Sequence, residues 1–276
     1  MWTVRPDIIH CYISSINRCL MSDEHFESFK SSSHYNSIVG MATVEQAPLW
    51  YDRIKEEHPD ILSSMEKFKA NDSFGKPVAM WSSPSHGDIS ASTLRYLNTL
   101  CDIEKHFGSL DGKSVVEIGV GYGGLCFMIQ TYYDVSCYQL VDIDNAILLT
   151  RKYLGKIGLD KNIMYEASSD FKTKHSNTYS TVNTLTHKEE LKLSSSPSYD
   201  LAISEFCISE MDDKGINDYY NRYLKPSKRL YLLMNLHDVL RKERFIKMVE
   251  EDFDIKMLDE FPKTHWPNYL MIAERR

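Results

Sequence analysis

The 276-residue chain has no C-x-x-C pair, no long apolar run and fewer basic than acidic residues. Its six cysteines (Cys11, Cys19, Cys101, Cys126, Cys137, Cys207) are scattered, so neither a disulfide framework nor a structural zinc site is expected. Three of them fall inside expected core elements and read as reduced, buried thiols of a cytoplasmic protein. No stretch approaches the roughly 20 apolar residues of a membrane span. Arg5, Asp7 and His10 break the N-terminus before an apolar leader could form. The formal charge of −7 argues against a nucleic-acid-binding face, because phosphate neutralisation needs an excess of Lys and Arg. With 42% hydrophobic residues, the chain can bury a sizeable core.

The densest signal lies at 114–124. Val115, Val116 and Ile118 form a short apolar run that suits a strand buried on both faces of a parallel sheet. Gly119, Gly121, Gly123 and Gly124 follow, and they let the backbone turn tightly and approach a ligand. Residues 125–133 are apolar and free of turn residues, so they predict a helix whose N-terminal amides face that ligand. A second strand over 137–142 then ends in Asp142, 18 residues after Gly124, where a ribose would sit. Gly119, Gly121 and Gly124 formally allow a nicotinamide dinucleotide. Glu117, two residues upstream, is a poor neighbour for a pyrophosphate and suits a ligand with a cationic amino group.

Residues 1–110 show no clear β alternation and predict a helical cap that lids the crevice or covers a sheet edge. Trp50, Ile54, Ile61, Met65 and Phe68 fall at broadly helical spacing. Two turn clusters follow, at 71–77 and 81–88. A helix then starts at Ser90 or Ser92, buries Leu94, Leu97 and Cys101, and stops at Gly108. From 111 to 276 strands and helices alternate. Strands are expected at 164–168, 200–204 and 229–235, and a mobile insertion at 170–198. The last two apolar runs, 255–261 and 269–273, are joined by a loop too short for a crossover helix, so they must be antiparallel. The expected fold is α/β: a Rossmann-like doubly wound sheet, mostly parallel, with an antiparallel C-terminal hairpin strand and an N-terminal helical cap.

Glu117-Ile118-Gly119-Val120-Gly121-Tyr122-Gly123-Gly124, followed by Leu140-Val141-Asp142, resembles the first two motifs of class I methyltransferases. The closing hairpin resembles that fold too, and it decides for S-adenosylmethionine over a dinucleotide. The segment 199–211 (YDLAISEFCISEM) resembles the corresponding stretch of a family of sugar O-methyltransferases. So do Leu233-Met234-Asn235, Tyr153-Leu154 and Ser92-Thr93-Leu94-Arg95-Tyr96. Glu205 stands where that family shows Asn. The D/N-P-P-Y/F motif of methyltransferases acting on nucleobase amino groups is absent.

The resemblance implies methyl transfer to a hydroxyl of a sugar or glycan, with Glu117, Gly119, Gly121, Gly123, Asp142 and Ser204 holding the cofactor. Loops after the fourth and fifth strands open onto the crevice, which puts Glu205, Glu210 and His237 within reach of the reaction. His237 is the first candidate base, since imidazole takes a proton near neutral pH; it could instead cap the helix starting near Asp238. Glu210 is read as orienting a sugar hydroxyl or the base, and His265 is a weaker base candidate. No cluster has metal-ligand spacing, although a metal-assisted mechanism through Glu205, Glu210 and another acid stays open. The rival functions are NAD-dependent oxidoreduction and a non-catalytic protein that kept the fold. A homodimer is compatible with all of these.

Overall fold

The computed structural model describes residues 6–36, 38–39, 42–159, 162–167, 198–235, 238–263 and 268–276. At its centre are seven strands: β3 (Ser114–Ile118), β4 (Cys137–Asp142), β5 (Ile163–Ala167), β6 (Leu201–Glu205), β7 (Arg229–Met234), β8 (Phe253–Asp259) and β9 (Tyr269–Arg275). They lie in the order β5-β4-β3-β6-β7-β9-β8. The first five are mutually parallel, while β9 runs antiparallel to both β7 and β8. This is the Rossmann-like doubly wound sheet that the sequence predicts, closing hairpin included. The chain winds outward from β3 in one direction through β4 and β5, then returns to start the other direction at β6. The strand order therefore reverses between β3 and β6, where open α/β sheets place their ligand crevice.

The side-chain period of two divides the strands between two apolar layers. Val115, Tyr138, Leu140, Ile203, Tyr231 and Ile272 face one cluster, which continues through Leu94, Leu97, Trp50, Phe29 and Tyr12 of the N-terminal region. Val116, Val141, Ala202, Leu232 and Met271 face the other, against Ile216, Tyr223, Phe245 and Val249. Because both faces of β3 are covered, its apolar run does not alternate with polar residues.

The helix Ala91–Phe107 shows how local chemistry sets the elements. Ser90 caps it, its Oγ accepting from the Thr93 N–H at 3.1 Å. Gly108 ends it with φ +72°, and its N–H donates to Glu104 O. Leu94, Leu97, Leu100 and Cys101 are buried along one side.

One expectation is corrected. Residues 1–110 are not helices and loops alone, because β1 (Met80–Ser83) and β2 (Gly87–Ser90) pair as an antiparallel hairpin. The turn cluster at 81–88 belongs to that hairpin, whose Ser-rich, half-exposed strands carry too little alternation to read. The insertion expected at 170–198 lies, apart from residue 198, outside the described residues. No described helix is long and apolar enough to cross a membrane.

Candidate active site

A cleft of about 910 Å³, counted to its open mouth, lies at the C-terminal ends of β3, β4 and β6. Its floor is the glycine loop, Gly119, Val120 and Gly121; Glu117, Asp142, Glu205 and Glu210 reach into it. Ile9 and Tyr12 of the first helix, with Ile38 and Val39, form an apolar side opposite.

The loop requires glycine. Gly119 has φ +82°, and a Cβ there would stand 2.2 Å from Cys207 Cβ. Gly121 has φ +59°, and its N–H donates to Asp142 Oδ2 at 3.1 Å. The Ile143 N–H donates to Asp142 Oδ1 at 2.7 Å. Asp142 is thus aimed by two backbone donors, one of them in the glycine loop. Gly123 caps the helix Gly124–Tyr132 with φ +89° and does not line the cleft.

Burial sets the charge state of the acids. Glu117 is 4% exposed and accepts from Tyr138 Oη at 2.7 Å. Burial, helped by the negative Glu205 and Asp142, pushes its carboxyl up to about 8. Burial also raises Asp142 to about 6, against the lowering effect of its backbone donors. Glu210 rises to about 7, through burial and then the charge of Asp142. A cation in the cleft would stabilise the ionised form of all three. Burial and the adjacent Asp142 and Glu210 hold the Cys207 thiol well above its ordinary range, so it is not a nucleophile at neutral pH.

Glu205 differs. Its Oε2 accepts from Arg95 Nη2 at 2.6 Å and its Oε1 from Thr99 Oγ1 at 2.6 Å. Both partners come from the helix Ala91–Phe107. The guanidinium of Arg95 also lies 5.5 Å from the ring centre of Tyr96 and 5.8 Å from that of Phe206. Glu205 is thus clamped through both of its oxygens. Phe206 itself has φ +66°, an uncommon conformation for a bulky side chain, and its N–H donates to Leu233 O at 2.6 Å. Such strain persists where the surroundings over-determine it, which is common at functional sites.

The cleft therefore gathers Glu117, Gly119, Gly121, Asp142, Glu205 and Glu210 from the sequence reading. It does not gather Ser204. The strand period turns Ser204 to the layer opposite Glu205, where its Oγ accepts from the Ile208 N–H at 3.4 Å. His237 and His265 lie outside the described residues. Arg95, Tyr96, Phe206 and Cys207 belong to stretches whose resemblance was visible, whereas Tyr12 and Val39 carried no readable signal. Among the described residues, no group of three or more His, Cys, Asp or Glu could hold a metal ion.

No family model matches the chain, and no curated protein matches it in sequence. Similar solved structures include a Clostridium thermocellum protein assigned as an rRNA methylase, at 15% identity and TM-score 0.46, over 65% of this chain and 95% of that one. TrmK of M. capricolum in complex with its cofactor product S-adenosylhomocysteine has 15% identity and TM-score 0.41, over 64% and 67% of the two chains. Precorrin-6y C5,15-methyltransferase of Geobacter metallireducens has 11% identity and TM-score 0.41, over 68% and 90%. The fold assignment rests on the strand order and register, and no substrate is carried over from these proteins.

Proposed function

We propose that the cleft binds S-adenosylmethionine and that the protein transfers its methyl group to a hydroxyl of a sugar or glycan. The observation that carries the cofactor reading is the convergence of Glu117, the glycine loop and Asp142 at the strand-order reversal of this fold. The donor set suits that molecule. Carboxylates at Asp142 and Glu117 fit ribose hydroxyls and an ammonium, and Ile9, Ile38, Val39 and Ile143 offer apolar cover for a base. A pyrophosphate finds no such match. Arg95 is the one cation among the described lining residues, and Glu205 holds it.

When bound, the cofactor supplies an electrophilic methyl group on a sulfonium. The chain's residues must then place the acceptor oxygen in line and remove its proton. Glu205, held by Arg95 and Thr99, orients the acceptor hydroxyl. Tyr96 and Phe206 beside that ion pair offer ring faces next to polar groups, a combination that suits a polyhydroxylated ring. His237, three residues after β7 in the sequence, takes the proton. Glu210, with its carboxyl raised to about 7, accepts hydrogen bonds near neutral pH. The sugar specificity rests on the likeness of 199–211 to sugar O-methyltransferases.

The test is equilibrium binding of S-adenosylhomocysteine and NAD, followed by a screen of free, nucleotide-linked and glycan sugars with methyl-labelled S-adenosylmethionine. Binding of S-adenosylhomocysteine and labelling of at least one sugar are expected. Binding of NAD alone would overturn the cofactor, and labelling only of non-sugar acceptors would overturn the substrate class.

A further inference from the structure

Between the glycine loop and the N-terminal region lies a closed polar box that the reaction does not use. Tyr122 sits between Gly121 and Gly123, yet its ring turns away from the cleft and is 2% exposed. It packs edge-on against Tyr153 at 4.9 Å and Phe29 at 5.4 Å between ring centres. Its hydroxyl donates to Asn71 Oδ1 at 3.1 Å. Asn71 is fully buried, and the same oxygen accepts from Tyr153 Oη at 2.6 Å and Lys30 Nζ at 3.3 Å. Asn71 Nδ2 donates to Thr93 Oγ1 at 2.8 Å, on the helix that carries Arg95. Lys30 Nζ also donates to the Asn71 carbonyl, and it lies 4.4 Å from the ring centre of Tyr122.

We infer that Lys30 and Asn71 are positioning residues for the cofactor loop, acting through Tyr122. The inference rests on the proposed cofactor. Gly119 and Gly121 face the ligand with soft backbone dihedrals, and glycines do not hold themselves in place. The rigid residue among them is Tyr122, and its seat is built by residues about 50 and 90 positions upstream. The loop amides and the Gly121–Asp142 hydrogen bond are therefore aimed by the N-terminal region, which is a working part of the cofactor site as well as its cover. A buried ammonium over a phenol ring, with two carbonyl acceptors, fixes the ring more firmly than apolar contact alone.

A titration supports the assignment. Burial lowers the Lys30 ammonium to about 7, opposed by the charge of Asp72. The titratable groups around it are Asp72 together with the Tyr122 and Tyr153 hydroxyls, both raised well above their ordinary range. Near neutral pH Lys30 changes charge, and its deprotonation removes the charged donor that seats Tyr122.

The experiment measures S-adenosylhomocysteine affinity by calorimetry from pH 6 to pH 9, in wild type, Tyr122→Phe and Lys30→Met. It adds hydrogen exchange of the peptide covering the glycine loop in the free protein. Each variant, folded by circular dichroism, should bind about 5- to 30-fold more weakly, the range for removing one partner of a buried polar network. Loop exchange should quicken, and the pH profile of Lys30→Met should differ from that of wild type by the loss of the Lys30 contribution, while those of Asp142, Glu210 and Glu117 in the cleft remain. A purely structural role would lower the melting temperature while leaving the pH profile unchanged. If both variants bind within about twofold of wild type with the same profile, the inference is wrong. Should Lys30→Met not fold, Tyr122→Phe, which removes one oxygen, decides alone. Absence of binding by the wild type would refute the cofactor reading instead.

Discussion

Replacing Glu117 by Gln should stabilise the free protein and weaken its hold on the cofactor, with both effects depending on pH. Glu117 is buried on the central strand, and its carboxyl is raised from 4.5 to about 8. Below pH 4.5 both folded and unfolded chains carry the proton, and the group contributes nothing. Between there and about 8 the unfolded chain ionises while the folded one keeps its proton, so stability falls as pH rises. At ~1.36 kcal/mol per pH unit the loss approaches about 5 kcal/mol above pH 8. Gln keeps an acceptor for Tyr138 Oη but must bury an NH2, so a net gain of about 2–4 kcal/mol at pH 8.5 is expected. At pH 5 the two proteins should agree within about 1 kcal/mol. Urea unfolding of the ligand-free proteins at both pH values reads the difference, and a titration with S-adenosylhomocysteine reads the affinity, expected to fall. A variant that is less stable at pH 8.5, or a difference independent of pH, would refute the reasoning. The site then would not hold a carboxyl that stays protonated up to about pH 8 in the absence of a cation.

Three further outcomes are expected. Gly119→Ala should destabilise the protein by at least about 1–3 kcal/mol and abolish cofactor binding, because its Cβ would meet Cys207 Cβ at 2.2 Å with φ at +82°. Adding Cys207→Gly should restore part of the stability, and no recovery in thermal unfolding would count against that contact. Arg95→Met leaves Glu205 buried with only Thr99, for a loss of about 3–5 kcal/mol; the double variant with Glu205→Met should be more stable than Arg95→Met alone by urea unfolding. His237→Ala should lower turnover about 10²–10⁴-fold with cofactor affinity unchanged, whereas Glu210→Gln should slow it less. Wild-type turnover in His237→Ala, measured with a labelled methyl group, would move proton removal to another residue.

Much of this protein is determined by local sequence. A two-sided apolar run, a glycine turn and an acid closing the next strand specify a β–loop–α–β unit almost by themselves. Each step there is short-range sterics or a period of two. The short connection between the last two strands likewise forces them antiparallel, whatever the rest of the chain does. For the same reason Glu117, Gly119, Gly121 and Asp142 were legible as one site, and Ser90 and Gly108 as the ends of a helix. The hairpin of β1 and β2 was not legible, because serine, glycine and proline residues hide its alternation. Only tertiary structure decided which neighbours the acids have. Glu205 and Ser204 are adjacent in sequence, but the strand period sends one to Arg95 and Thr99 in the cleft and the other to the opposite layer. Asn71 reads as a turn residue, yet it accepts from Tyr122, Tyr153 and Lys30, which come from three separate parts of the chain. Such contacts depend on how whole elements pack, and no local propensity encodes the partner of a buried polar atom.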